Sequence, residues 1–277
     1  MSHPLSSSTA PGSTAALTGM PSLAASRSFR GTLPAAIHAE WIKLWSLRST
    51  WILLAFNLLA GTIMSWAVGR FAGEEGSSVE TAWFYWTVLS AVMAAAVGVL
   101  VFTADLQHGV MAGMLTVRPV RWVIVAAKVV VVGALGLVLG FTAVIAGIGG
   151  ASLSGIPVGS AGEIATGVLW ALGYTVLAAL LGLAVGLLLR SSAIAIAGVL
   201  MWGFLIEMLL TLFLPVEIAR FLPFLAGDRM LAVPSPGLNA EAVAVELSRF
   251  EGALVLGTYV TLLLLAGMLV FNRRDVA

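Results

Sequence analysis

Lys128 and Glu207 are the two ionisable residues that lie well inside long apolar runs of this 277-residue chain. A charge in such a run is costly to desolvate, so it must pair, take up or lose a proton, or meet water. At 1.5 Å per residue, Lys128 lies about 9 Å beyond Trp122, near the start of its run, and Glu207 about 21 Å into its own. The difference of roughly 12 Å in depth is too long for a direct ion pair. A lysine stem can reach back over much of 9 Å, so Lys128 reads as a structural or coupling residue. Glu207 reads either as a protonated acid hydrogen-bonded among helices or as a group lining a hydrated path.

Other chemistry is excluded by spacing. A phosphate-binding loop needs glycine directly before lysine and then Ser or Thr. The chain has two lysines, Lys43 and Lys128, preceded by Ile42 and Ala127. The three histidines, His3, His38 and His108, never form the H-E-x-x-H arrangement of a helix-borne zinc site. Asp105 and His108 make one i, i+3 pair, too few ligands for a metal, and read as solvated polar surface. Ser160 lies in a Gly-Ser-Ala-Gly run with no nearby histidine to activate it. Cysteine is absent, which removes disulfides, thiol nucleophiles and thiolate metal sites together. No catalytic residue, metal site or resident cofactor is expected.

Composition says what must carry these residues. Apolar residues make up 60% and charged residues 10% of the chain, which places it among membrane proteins rather than soluble domains. A net charge of +1 argues against a nucleic-acid partner. Residues 1–33 are rich in Ser, Thr, Ala, Pro and Gly and predict a disordered tail. Residues 34–49 wind into a helix with Ile37, Trp41, Leu44 and Trp45 on one side and Glu40, Lys43 and Ser46 on the other. Two tryptophans on the apolar side suit the headgroup boundary, so this predicts an amphipathic interfacial helix lying on the lipid bilayer. The expected fold is all-α and polytopic, with six transmembrane helices at 50–69, 83–104, 122–147, 164–189, 193–214 and 252–272.

Charge in the flanks orients the spans. Nine basic residues fall on the side carrying both termini and four on the other, while three acids fall on the first side and nine on the second. The positive-inside rule then puts both termini, including residues 273–277, in the cytoplasm. The long loop 215–251 is external in that scheme, with short helices expected at Glu217–Leu222 and Ala240–Phe250. Small residues recur every four positions at Ser90-Ala94-Gly98, Gly136-Gly140 and Ala178-Gly182-Gly186, the spacing that lets helix backbones pack closely.

Between the second and third spans runs Asp105, Gly109, Leu115, Arg118, Pro119, Arg121 and Lys128. Gly109 allows a tight bend, and Pro119 starts a helix but cannot sit inside one. The segment predicts a short cytoplasmic helix laid across the ends of two spans. It resembles the first cytoplasmic loop of ABC-2-type transporter permeases, the membrane subunits of ATP-driven exporters. Asp105 stands where that family more often has Glu, and Val110 where it often has Thr. The Glu40-Trp41-x-Lys43-Leu44 run with Trp45, Ser46, Arg48 and Ser49 is similar to the N-terminal segment of such permeases. Leu222-Pro223-Phe224 and the Gly227-Asp228-Arg229 turn look like the family's last extracellular loop.

The resemblance implies a permease subunit in the plasma membrane, moving an apolar or amphipathic substrate. ATP and Mg would be bound by a separate ABC ATP-binding subunit, with a second permease copy or a related subunit completing the assembly. Leu115 would anchor in that partner, Gly109 and Pro119 would set the shape, and Asp105, Arg118 and Arg121 would make charged contacts with it. Two rival readings remain open on the residues alone. One is an ion-coupled secondary transporter using Lys128 or Glu207, and the other is a non-transport membrane scaffold or assembly protein.

Overall fold

A computed structural model gives the architecture of residues 33–72, 79–110, 113, 121–155, 160–231 and 246–273. Every regular element among them is helical. Helix α1 (Leu33–Ser46) breaks at Leu47 and is followed by α2 (Arg48–Ala67), which passes into a π-helical turn at Val68–Ala72. Next come α3 (Val79–Gln107), α4 (Arg121–Ser154) and α5 (Ala161–Leu189). Helix α6 has three parts: Ser192–Met201, a π-helical stretch Trp202–Ile206 and Glu207–Leu210. Two short helices, α7 (Val216–Ala219) and α8 (Pro223–Asp228), precede a 3-10 turn at Arg229–Leu231, and α9 (Arg249–Arg273) closes the bundle. Six helices are long and apolar enough to cross a membrane: α2 with its π turn, α3, α4, α5, α6 and α9.

Local chemistry explains where several helices begin and end. Ser160 accepts from the Glu163 backbone N–H while the Glu163 carboxylate accepts from the Ser160 N–H at 3.0 Å, a capping box that starts α5 ahead of the apolar run. Ser248 and Glu251 repeat the same exchange at the start of α9. Arg190 adopts the left-handed conformation (φ 57°) that ends α5 and leaves Ser191 to turn the chain into α6. Helix α6 ends at Leu210, short of the expected 214; residues 211–214 continue as a turn, with the Leu214 N–H on the Leu210 carbonyl at 2.9 Å, before Pro215. Helix α4 runs seven residues beyond the expected 147, to Ser154.

Helices α3, α4 and α5 form the buried centre, while α2, α6 and α9 present long apolar faces outward, as lipid-facing helices do. The contacts at the centre are between backbones. A Cβ added at Gly98 on α3 would lie 2.0 Å from the carbonyl oxygen of Ala179, and one at Gly182 on α5 would lie 1.8 Å from that of Ala95. Gly136 and Gly140 bring α4 similarly close to Thr175 and Val176 on α5. The recurring small residues therefore set how closely these three helices approach, because any side chain there would push the axes apart.

Candidate functional site

At one end of the bundle four charged side chains meet. Lys128, on the second turn of α4, has no exposed surface. Its ammonium donates to Glu40 Oε2 at 3.2 Å, to the Val101 carbonyl oxygen at 3.0 Å, and to Asp105 Oδ2. An ammonium carries three N–H donors, and three acceptors meet them. The Lys43 ammonium donates to Asp105 Oδ1 and lies 3.8 Å from Glu40 Oε2. Two lysines and two carboxylates thus alternate in a closed, neutral quartet. Lys43 lies at its rim, about a third exposed (35%), and the other three members are buried.

The quartet brings Glu40, expected on the polar side of α1, to the side that packs on the bundle. The inward face of that helix is Ala36, Glu40 and Leu44, four residues apart, while Trp41 and Ile42 face outward. Ala36 packs on Val123 and Ala127 of α4, and Leu44 packs near Ile124. The apolar stripe read from the sequence counted Glu40 as a solvent residue. The Lys128 ammonium donates to that carboxylate, so Glu40 is paired where it is buried. The tryptophans form a ladder across the α1–α2 break, with ring centroids 5.5 Å apart for Trp41–Trp45 and 5.1 Å for Trp45–Trp51. Thr50 steadies the break by donating to the Leu44 carbonyl at 2.7 Å, and Arg48 opens α2 from an exposed position.

Other residues singled out in the sequence have different neighbours from those expected. Lys128 is fully buried against α1 and α3, and Asp105 turns inward to two lysines. Arg121 donates to the Phe271 and Asn272 carbonyls at 2.6 and 3.2 Å and lies over the Phe271 ring, so it ties the start of α4 to the last turn of α9. Gly109 does take the left-handed conformation (φ 68°) that turns the chain away from α3. His108 is exposed and bonds the Ala104 carbonyl, apart from Asp105's network. Leu115, Arg118 and Pro119 lie outside the described residues.

Toward the other end a second polar cluster surrounds Glu207, which is 3% exposed. Its Oε1 accepts from the Trp202 indole N–H at 2.7 Å and the Phe224 backbone N–H at 3.0 Å, and its Oε2 from the Leu225 N–H at 2.7 Å. All three bonds use the carboxylate as acceptor. Buried and hydrogen-bonded among helices, Glu207 caps the first turn of α8. Glu207 lies three residues before the end of α6, and the chain returns through α7 so that the first-turn N–H groups of α8, which have no partner within that helix, meet its buried carboxylate. Phe224 packs on Gly203, where an added Cβ would be 3.3 Å from its ring. The π-helical turn at 202–206 places Trp202 where its indole meets the same carboxylate.

Helix α8 is held on its other sides as well. Tyr174, fully buried on α5, donates its hydroxyl to Asp228 Oδ1 at 2.7 Å. Gly227 lies against the Tyr174 ring, and Gly252 of α9 approaches the Ala226 carbonyl so closely that a Cβ would sit 2.3 Å from it. Arg229 forms an ion pair with Glu246. The Gly227-Asp228-Arg229 turn expected from the sequence is the end of α8 running into a 3-10 turn. Burial pushes the Asp228 carboxyl up to about 7; the Tyr174 bond opposes the rise, the Glu207 charge adds to it, and Arg229 opposes it.

No family model and no curated protein sequence matches the chain. What fold and site together define is a polytopic, all-helical protein with six membrane-length helices and a buried polar cluster toward each end.

Each cluster has its own test. Lys128→Met leaves two buried carboxylates facing Lys43 alone and is expected to cost about 3–5 kcal/mol of stability. Adding Asp105→Asn to it should recover part of that loss, as measured by thermal unfolding in detergent; equal losses in single and double variants would mean the charges are not coupled. Glu207→Gln puts an amide N–H₂ against an N–H donor and should destabilise by about 1–3 kcal/mol, despite its matched shape. For Asp228 the docked carboxyl titrates near 7 and the released one near its ordinary 3.8. The docked form therefore holds its proton more tightly, so stability falls as pH rises between those values and levels off above. Comparing unfolding temperature against pH for the wild type and Asp228→Asn isolates this contribution: the wild type should lose stability relative to the variant across that window, and parallel curves would show that Asp228 is not the group responsible.

Proposed function

We propose that this chain is the membrane subunit of a two-part exporter, a permease resembling the ABC-2 type, driven by ATP hydrolysed on a separate subunit. The observation that carries this reading is the charge quartet and its place in the chain. Asp105 stands four residues before Gly109, where the segment resembling the permease coupling loop begins, and Lys128 follows that segment on α4. A push on residues 109–121 would therefore act on α3 at Asp105 and on α4 at Lys128, and through Glu40 on α1. Because the quartet joins α1, α3 and α4 through paired side chains, a load on the segment would be shared by three helices. The Arg121 contact to the last turn of α9 extends that load to a fourth.

In this reading α1 lies along the cytoplasmic face of the plasma membrane, both termini are cytoplasmic, and Trp41, Trp45 and Trp51 lie at headgroup level. Two copies, or this chain with a related one, rest on two ATP-binding subunits that hold ATP and Mg. The sequence has no phosphate-binding loop of its own, so this chain is not the enzyme of the pair. The substrate in this reading is apolar or amphipathic, since few polar groups line the spans.

The test is co-expression with the ATP-binding subunit encoded nearest to this chain, followed by affinity purification. Leu115→Asp should stay in the membrane and keep its unfolding temperature. It should lose co-purification and the partner's dependence on this subunit, a weakening of about 2 kcal/mol, or roughly thirtyfold. The same charge at Ser77, in the loop after α2, should do neither. A Leu115→Asp protein that still assembles and still exports would refute the proposal.

A further inference from the structure

Helices α2, α3 and α4 meet along a seam that carries unpaired polar atoms deep inside the bundle. Asn57 has no exposed surface and spends its amide N–H₂ on α4, donating to the Leu139 carbonyl at 2.9 Å and to Thr142 Oγ1 at 2.7 Å. Its Oδ1 has no donor. Ser65 and Ser90 are likewise fully covered, and Trp86 is 5% exposed; neither serine hydroxyl nor the Trp86 indole N–H has a partner. These are exceptions within the protein. Hydroxyls at Thr62, Thr87, Thr103, Ser152 and Thr175 all bond the carbonyl four residues back, as helical Ser and Thr commonly do.

The packing places the four exceptions along one seam. On α2, Asn57, Gly61 and Ser65 follow one another a turn apart; on α3, Trp86, Ser90 and Ala94 do the same. The Trp86 indole nitrogen lies over Gly61, only 2.3 Å from where a Cβ would be, and the ring packs with Ala143 and Ala146 of α4. Ala94 shares a cluster with Leu54 of α2 and Leu139 of α4. Ser90 lies between Trp86 and Ala94, as Asn57 lies between Gly61 and Leu54, so Asn57 and Ser90 face one seam at one height. Gly150 of α4 lies against Ser65 a turn or two further along.

We propose that this seam binds water: one molecule bridging Asn57 Oδ1, Ser90 Oγ and the Trp86 indole N–H, and another at Ser65. The chemistry is complementary, with an acceptor-only oxygen, a donor-only N–H and hydroxyls that do either. A water held by two hydrogen bonds spans about 5.6 Å, so groups on adjacent turns or on facing helices can share one. Left dry, each group would lose its hydration without return, at a few kcal/mol apiece in an apolar surround, whereas a water with two to four polar partners meets them. The inference stands on these packing contacts and is independent of the exporter reading.

Because the chain has no cysteine, single replacements report hydration directly. A thiol reacts through its thiolate, which forms only where water or polar groups reach it. Ser65→Cys and Ser90→Cys are compared with Ala178→Cys, a fully buried position in the apolar core, in detergent-purified protein treated with methyl methanethiosulfonate. Unreacted thiol is counted with a fluorescent maleimide after denaturation. The two seam thiols should react about tenfold faster or more, the effect of a thiolate easier to form by one pKa unit. Adding Asn57→Leu should return Ser90→Cys to the slow rate. Neither serine hydroxyl holds a bond that the change removes, and if one variant fails to fold, the other reads the seam. Rates equal to that of Ala178→Cys in folded protein would overturn the proposal, and an unchanged Ser90→Cys rate after Asn57→Leu would overturn the site at Asn57.

Discussion

A lysine with no exposed surface has to place three N–H groups, and that requirement organises one end of this protein. Lys128 finds its acceptors on two other helices, a carboxylate on α1 and a carbonyl and a carboxylate on α3. To meet it, α1 turns Glu40 inward together with Ala36 and Leu44 and leaves Trp41 exposed. Lys43 then neutralises the second carboxylate charge from the rim. A buried ion pair is weak evidence for stability in itself, since desolvation offsets most of the attraction. What it does supply is geometry: removing one member leaves a buried charge unmatched, so the quartet holds α1, α3 and α4 in one register.

Toward the other end the same rule works with the signs reversed. Helix α8 is six residues long and brings its first N–H groups into an apolar surround, where a helix of that length has little stability of its own. The Glu207 carboxylate meets two of those N–H groups and the indole of Trp202, and Tyr174 reaches Asp228 at the far end of the same short helix. Between the two clusters, α3, α4 and α5 approach at glycines whose missing side chains are the condition of the contact.

Much of the architecture of residues 33–273 is legible in the amino-acid sequence. The six apolar runs, the all-helical class and the small-residue contacts all follow from local composition and period, because a helix in an apolar surround satisfies its own backbone and needs little else. Helix ends are less legible. The Ser160–Glu163 and Ser248–Glu251 boxes are sequence signals that move the starts of α5 and α9 outward by three residues, and hydropathy does not register them. The left-handed turn at Gly109 is also readable, since glycine is the residue that takes it without strain.

The roles of the charged residues were decided by tertiary structure. Spacing along the chain marks Lys128 and Glu207 as unusual, but each finds partners from distant segments: Glu40 is 88 residues from Lys128, and Leu225 lies past the end of α6 on a separate short helix. A hydropathy pattern sums over one helix at a time and so assigns Glu40 to solvent. The fold places it against an ammonium in a medium where the Coulomb attraction is many times stronger than in water. The sequence alone therefore determined which residues enter the membrane-length helices and how closely those helices can pack. Only the fold decided which buried charge met which, because that depends on the distance between helices and on the absence of water between them.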